Sequence, residues 1–434
     1  MNAETDNAAG LPPGEISGMA DQLFRRESSK LVSILTGIFG IDRLQLAEDV
    51  VQEALLRAMQ TWPYYGVPKN PGAWLTQTAR NLALDVVRRE KNFRDKEAQV
   101  ITHIEQWSSD AEADPAFENE IKDGRLRLMF ACCHPAIPPE AQTALALKTL
   151  CGFSPAEIAK AFLTTEAAIA KRLTRAKQRI REARIPFAIP EGTELVERLD
   201  GVLESLYLLF NEGYKASVGD KLVREDICHE AIRLTTLLAE HPAGNHPRTH
   251  ALLALMLMNA ARTPTRVDDE GNLLRLKEQD RTRWDQGMIA RGLFHFVQSA
   301  TGDHLTVYHL QAGIAACHSA AADYDATNWT QILALYDQLV QLDPSPVVAL
   351  NRAIVVANLH GPKAGRDAVS AIPDLDKLES YYLLYAVLGE LEARLNDPLA
   401  AAGYFRKSIQ LAEIKSEQVF LLKRFQECEA RLAS

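Results

Sequence analysis

The chain has 434 residues, 47% of them apolar, and a net charge of −9. That size and apolar share suit two to four domains with substantial cores. The acidic balance excludes a generic polyanion binder, which carries a basic excess over its whole domain. No apolar run reaches the roughly 18–20 residues needed to span a bilayer; the strongest, Ala251 to Ala261, stops at Arg262. No membrane association is therefore expected. Met1 to Ala20 lacks a basic start and an apolar stretch, so a flexible tail over 1–19 and a cytoplasmic location are expected. Six cysteines (Cys132, Cys133, Cys151, Cys228, Cys317, Cys428) lack paired spacing, which suits reduced, mostly buried thiols.

The average charge conceals an asymmetry along the chain. Glu97, Glu105, Asp110, Glu112, Asp114, Glu118, Glu120 and Asp123 face a single Lys122, whereas Lys171, Arg172, Arg175, Lys177, Arg179, Arg181 and Arg184 face Glu182 alone. Segregated charge points to modules with different partners.

Almost everything after residue 20 reads as helix: Leu, Ala, Glu, Arg and Gln abound, apolar residues recur at three and four, and alternating β-branched runs are missing. The fold class is all-α. Breakers divide the chain at Trp62 to Gly72, at Pro135, Pro138 and Pro139, and at Pro186 and Pro190. These suggest a first domain at 20–96, an acidic linker at 97–123, a second domain at 124–185 and a helical extension at 186–434.

Within the first domain, Ala47, Val50, Val51, Ala54, Leu55 and Ala58 keep the spacing of a buried stripe, with Glu48, Asp49, Gln52 and Glu53 expected on the other side. Asp49 and Glu53 stand one turn apart, a like-charge pair that costs a few tenths of a kcal/mol in an isolated helix; the face is either ordinary solvated acid or a site for a basic partner. After the proline-rich loop, a helix from Trp74 is expected to bury Leu75, Ala79, Leu82 and Val86. It sets Asn81, Asp85 and Arg88 on one polar face, with Arg80 and Arg89 beside it. That face can hold separated DNA strands, and Tyr64 and Tyr65 can stack on an unpaired base or simply be buried.

In the second domain, Ser154-Pro155-Ala156-Glu157 is a capping box with proline at the first helical position, so a helix runs from there to about Phe162. A turn at Leu163-Thr164 leads to a second helix with Ile169, Leu173, Ala176 and Ile180 as its apolar stripe and Lys171, Arg175 and Gln178 on another face. A short helix, a tight turn and a longer basic helix make a helix-turn-helix, whose second helix enters the major groove. Thr165, Glu166, Ala168, Lys171 and Arg172 are the candidates for base edges, with Arg175 behind them.

The extension carries a weak repeat. Leu395-Asn396-Asp397-Pro398 follows Leu359-His360-Gly361-Pro362 by 36 residues, and Tyr404 follows Tyr336 by 68. A period near 34 suggests paired-helix repeats. Leu388, Gly389, Ala401 and Phe405 match one tetratricopeptide unit, Tyr336 with Pro344 fits an earlier one, and His241-Pro242 closes a still earlier one. A generic helical bundle remains the alternative; either offers an extended surface for a protein or peptide partner.

The run Ala47-Glu48-Asp49-Val50-Val51-Gln52-Glu53-Ala54, followed by Pro71-Gly72-Ala73-Trp74-Leu75 and Ala79-Arg80-Asn81-Leu82-Ala83-Leu84-Asp85, resembles region 2 of extracytoplasmic-function (ECF) RNA polymerase sigma factors, and Phe153 to Arg184 resembles their region 4. Phe210-Asn211-Glu212-Gly213-Tyr214 and Gln279-Asp280-Arg281-Thr282-Arg283-Trp284 resemble the subgroup with a tetratricopeptide extension. The resemblance implies a sigma factor that binds core polymerase through its β′ clamp helices and β flap. Glu48, Asp49, Gln52 and Glu53 would dock on the clamp helices. Tyr64, Tyr65, Arg80, Asn81, Asp85, Arg88 and Arg89 would melt and read the −10 promoter element, and the helix from Thr165 would read the −35 element. The acidic linker would thread toward the polymerase cleft. The extension of about 250 residues has no counterpart in minimal members of the family; apart from the resemblance, it is expected to replace a separate anti-sigma factor, either by masking the DNA-binding helices or by contacting polymerase and a signalling partner.

The competing reading is a one-component helix-turn-helix regulator with a helical sensor, which has no need of the Asp49/Glu53 face. An enzyme is not expected, and neither is a cofactor. Cys132-Cys133-His134 are adjacent and cannot easily converge on one metal ion, and no phosphate-binding glycine loop, HExxH or specific Ser/His/Asp arrangement occurs. His229, His241, His246 and His250 are expected to cap helices or face solvent. Asp268, Asp269, Glu270 and Gly271 form an acidic turn without calcium-loop spacing.

Overall fold

The computed structural model describes residues 13–89, 101–102, 104, 115–162, 164–214, 223–268, 272–302 and 304–433, with backbone alone for 13–22, 26, 115–123, 160, 161 and 433. The secondary-structure elements of the described residues are all helices, and their β pairing amounts to an isolated antiparallel bridge between Val267 and Leu273. No described helix is long and apolar enough to cross a membrane. Two compact units divide the chain, residues 1–205 and 206–434.

The first unit begins with α1 (Pro13–Phe39), α2 (Leu44–Tyr65) and α3 (Pro71–Arg89). Leu31 and Leu35 of α1, Ala47, Val50, Val51, Ala54 and Ala58 of α2, and Leu75, Ala79, Leu82 and Val87 of α3 are buried together where the three helices pack. Then come α4 (Pro115–Cys132), α5 (Pro139–Cys151), α6 (Pro155–Ala161), α7 (Glu166–Glu182) and α8 (Gly192–Tyr214), the last running through the division between units. Helix α1 packs on α4 and α5 as well as on α2 and α3, which makes it common to both halves of the unit. At the end of α5, Gly152 adopts φ 66, a left-handed cap that suits glycine, and an added Cβ would lie 3.3 Å from Arg25 Cα.

Several boundaries differ from the expectation. Helix α1 starts at Pro13, inside the segment read as a tail. The break read as Trp62 to Gly72 shrinks to residues 66–70, because α2 continues through Pro63 to Tyr65. Pro63 sits in the last turn, so only one ladder hydrogen bond is lost. Helix α3 starts at Pro71, the favoured first helical position, and it buries Val87 where Val86 was expected. The C-terminal part of the acidic linker is helical in α4; residues 97–100, 103 and 105–114 of it lie outside the described residues, as do Asp269, Glu270 and Gly271.

The second unit continues with α9 (Glu225–Glu240), α10 (Pro247–Ala260), α11 (Gln286–Ser299), α12 (Val307–Ala320), α13 (Trp329–Leu342), α14 (Pro346–His360), α15 (Pro362–Ser370), α16 (Tyr382–Arg394), α17 (Pro398–Leu411) and α18 (Lys415–Ala433). Helix α10 is its axis: Ala251 to Met258 are all buried, and α9, α11 and α12 pack around it. From α12 onward each helix packs on the next in the chain. The residues singled out for their repeat spacing meet here, since Ala401 and Phe405 are buried and an added Cβ on Gly389 would stand 3.0 Å from the Phe405 ring.

The loop before α11 ties this unit together. Buried Arg281 donates to the His318 carbonyl at 2.7 Å, the Ala321 carbonyl at 3.0 Å and Thr327 Oγ1 at 2.9 Å, and Trp284 Nε1 donates to Thr265 Oγ1 at 2.9 Å. Arg275 pairs with Glu390 of α16 at 2.8 Å, and Arg424 of α18 pairs with the other oxygen of the same carboxylate, also at 2.8 Å. The Gln279 to Trp284 motif therefore has a structural explanation. So does Gly213 of the Phe210 to Tyr214 motif, where a Cβ would lie 2.6 Å from the Cys228 backbone nitrogen.

Candidate nucleic-acid interface

The helix-turn-helix is built by local chemistry. Glu157 Oε2 accepts from the Ser154 backbone N–H at 2.8 Å while Ser154 Oγ accepts from the Glu157 N–H at 3.2 Å, the reciprocal capping box that starts α6. Thr165 caps α7 by accepting from the Ala168 N–H at 3.2 Å. Ile169, Leu173, Ala176 and Ile180 are all buried, so the stripe read from spacing is the packing face. Thr165, Glu166, Lys171, Arg175 and Gln178 are exposed, whereas Ala168 and Arg172 are half-buried. Helix α7 carries six basic against two acidic residues. Arg172, Arg175 and Arg179 line a groove against Pro138 and Glu140, just before and at the start of α5. An exposed basic helix with a capped N-terminus suits docking against a phosphate backbone.

The acidic face of α2 divides in two. Asp49, Gln52 and Glu53 are exposed; Asp49 accepts from Gln45 Nε2 at 2.7 Å and Glu53 pairs with Arg57 at 3.1 Å, both within the helix. Glu48 does not belong with them. It is 5% exposed and pairs with Lys177 of α7, whose ammonium also donates to Gln45 Oε1 at 2.7 Å. Only a partner distant in sequence makes burial of Glu48 tolerable, so periodicity alone placed it with the solvated residues.

Tyr64 and Tyr65 are 84% and 87% exposed at the end of α2. Trp62 beside them is buried, packed 5.5 Å from Phe24 and edge-on 5.6 Å from Trp74. That aromatic cluster anchors the helix end and leaves the two phenols outside it, free to offer a π-face. On α3, Asn81, Arg88 and Arg89 are exposed, Asp85 is half-buried, and Arg89 lies 4.0 Å from Asp85. Arg80 is half-buried and donates from Nε to the Ile104 carbonyl at 2.9 Å, which ties α3 to the segment that follows it.

The side chains weighed as metal ligands are packed as thiols. Cys132 lies 3.3 Å from Thr149 Oγ1, and burial pushes it up to about 12; burial raises Cys133 as well. Neither is poised as a thiolate. His241 Nδ1 accepts from the Ala243 N–H at 3.1 Å, a local turn cap. His250, expected at a cap or in solvent, is buried against His295 and Asn245; its partner on α11 gives no sign at the level of spacing.

The chain matches the family described as Sigma-70 region 2 over residues 23–93, Sigma-70 region 4 over 127–180, and a family of unknown function, DUF6596, over 198–300. It is 38% identical over 380 residues to an uncharacterised protein of Rhizobium meliloti, covering 87% of this chain and 89% of that one. It is 32% identical over 136 residues to the ECF RNA polymerase sigma factor SigL of Mycobacterium tuberculosis, covering 31% of this chain and 72% of SigL. Against the ECF sigma factor SigE of Mycolicibacterium smegmatis the identity is 26% over 162 residues, covering 37% of this chain and 60% of SigE. No solved structure matches. The chain belongs to the ECF RNA polymerase sigma factor family, with a DUF6596 segment in its C-terminal extension. Such a protein binds core polymerase and promoter DNA, directs transcription initiation and catalyses nothing itself.

Proposed function

We propose that this sigma factor docks on the β′ clamp helices of core polymerase through Asp49, Gln52 and Glu53, and on the β flap through region 4. In this reading Tyr64 and Tyr65 stack on a base of the melted −10 element while Asn81, Asp85, Arg88 and Arg89 hold the separated strands. Thr165, Glu166, Ala168, Lys171, Arg172 and Arg175 meet the −35 element, the first residues at base edges and the arginines at phosphates. The observation that carries the reading is the coexistence, in one unit, of an exposed carboxylate pair on α2 and an exposed basic face on α7. The protein would work in the cytoplasm, where polymerase is.

Run-off transcription with purified core polymerase tests this. The unaltered chain should support promoter-dependent transcripts and the Asp49→Arg/Glu53→Arg variant should not, while both retain the same melting profile. Transcripts of equal yield from the variant would sink the docking role.

The extension is proposed to regulate the sigma regions through a tetratricopeptide-like surface that takes a protein partner. Chain-order packing of α12 to α18 and the Gly389/Phe405 contact support it. Truncation should cut after Tyr214, because Gly201 of α8 packs against Gln142 and Cys133 in the first unit. A truncated chain with unchanged transcription in resting and induced cells would remove the regulatory role.

A further inference from the structure

Helix α11 of the second unit is apolar on two sides, and only one of them is covered. On the covered side Ile289 packs with Ala261 and Trp284, and Gly292 lies so close to α10 that an added Cβ would stand 2.6 Å from Met258 Cγ and 3.4 Å from the Ala254 carbonyl oxygen. At the start of the helix Asp285 Oδ1 accepts from the Met288 N–H at 2.9 Å, and the Asp285 N–H donates to the Ala261 carbonyl at 2.9 Å. These contacts fix the rotation of the helix. It cannot turn to hide its other side.

That other side carries Ala290, Leu293, Phe294 and Val297, whose spacing of three, one and three makes a single strip along two turns. All four are exposed, Leu293 to 36%, Phe294 to 58% and Val297 to 67%. Gln286 and Gly287 before the strip, and Ala300 and Thr301 after it, continue the same line and are exposed as well. Single exposed apolar residues are ordinary, whereas a contiguous strip marks a surface of association. Arg291 is the lone Asp, Glu, Lys or Arg of α11. The strip therefore offers no charge pattern for a nucleic acid or a strongly charged protein segment to match.

The order of the residues along the strip shows what does match it. A second copy of the helix, turned antiparallel about a two-fold axis midway between Leu293 and Phe294, sets Leu293 against Phe294 of the other copy and Ala290 against Val297. The same operation sets Gly287 against Ala300 and Gln286 against Thr301. Apolar meets apolar, Ala290 leaves room for Val297, and polar pairs close both ends. This is the self-complementarity that an isologous interface demands. The four apolar side chains offer on the order of 300 Å² per copy, the size of an association patch, against about 800 Å² per partner in a standard stable interface. With Arg291 and Gln298 at its margins the strip suits a reversible dimer, not a permanent one.

We propose that the exposed face of α11, in the segment matched to DUF6596 over residues 198–300, is a homodimerisation surface on which two copies of this chain pair antiparallel. Leu293 and Phe294 form its centre. The inference stands apart from the docking residues of the sigma regions, and it is measured without polymerase or DNA.

Sedimentation of the full chain over about a hundredfold range of concentration should show the mass rising from one chain toward two. Phe294→Glu and Val297→Glu, both at exposed positions, should each weaken that association at least about tenfold, as expected at the centre of an interface, while keeping the parent's melting temperature. The pairing itself is read by disulfide formation in a Cys317→Ser background, the remaining cysteines being buried. Ala290→Cys chains mixed with Val297→Cys chains should cross-link. Either variant alone should not, because its own two copies of the new thiol lie about 10 Å apart along the axis, beyond the reach of a disulfide. A parent that stays monomeric throughout, a dimer indifferent to Phe294→Glu, or cross-linking as strong in the single variants as in the mixture would overturn the proposal. So would a monomeric parent whose binding to core polymerase is lost with Phe294→Glu, which would give the face to polymerase instead.

Discussion

The imidazoles of His250 and His295 stack with centroids 5.2 Å apart and Nδ1 atoms 3.0 Å apart, so only one of the two nitrogens carries a proton. Nε2 of His250 lies 3.0 Å from Asn245 Oδ1 and donates to it, which makes His250 Nδ1 the acceptor and His295 the donor. Burial, with the neighbouring ring, pulls His295 down to about 4, and burial lowers His250 as well. A base whose folded pKa is depressed contributes stability that is complete above its unfolded value of about 6.5 and is lost as pH falls toward the folded value. Denaturation of the second unit followed from about pH 7 to pH 4.5 should show that loss. His295→Gln should flatten the profile by on the order of 2 kcal/mol. The flattening is partial because His318, held at about 3 by burial and by Arg262 and Arg281, adds its own slope. Superimposable profiles for parent and variant would clear the pair of this role.

Arg281 satisfies two backbone carbonyls and a hydroxyl from one planar group. Lysine keeps the charge but not the fork. Arg281→Lys should therefore cost about 2–4 kcal/mol by leaving buried acceptors unpaired, read as a lower urea midpoint for the second unit. A loss below about 0.5 kcal/mol, the range of a surface change, would contradict the clamp.

At Gly213 the approaching atom is backbone, the Cys228 nitrogen, which cannot step aside as a side chain would. Gly213→Ala is expected to destabilise by about 1–3 kcal/mol through overpacking, although alanine is the better helix former. An unchanged or raised melting temperature would show that the helices separate freely at this point.

Arg175 stands exposed on α7 and serves no ion pair among the described residues. If it neutralises a phosphate, Arg175→Ala should weaken binding to all sequences alike and reduce the slope of log K against log salt by about 1. A change in sequence preference with an unchanged slope would instead make it a base reader.

Much of this was legible in the sequence because it is local. The Ser154/Glu157 box, the Thr165 cap and the Ile169 to Ile180 stripe depend on residues three or four apart, and periodicity reports such relations directly. Glu48 and His250 were misplaced because their partners, Lys177 and His295, are brought to them by tertiary packing. Helix α2 runs past the break that its proline signals, because in a last turn proline forfeits little. Val86 and Val87 are neighbours, and one residue of phase is within the drift of helical periodicity on a curved surface.

Glu390 receives Arg275 on one oxygen and Arg424 on the other, so the final helix is fastened to a loop near the beginning of its own unit. An open stack of helix pairs can lengthen or shorten at its tip, each pair answering only to its neighbour. Here loss of the last helix would remove Arg424 and leave one Glu390 oxygen without its partner. Relatives should therefore vary in their connecting loops while keeping the number of helices, and deletion of α18 should unfold the unit in one transition, not peel it back pair by pair.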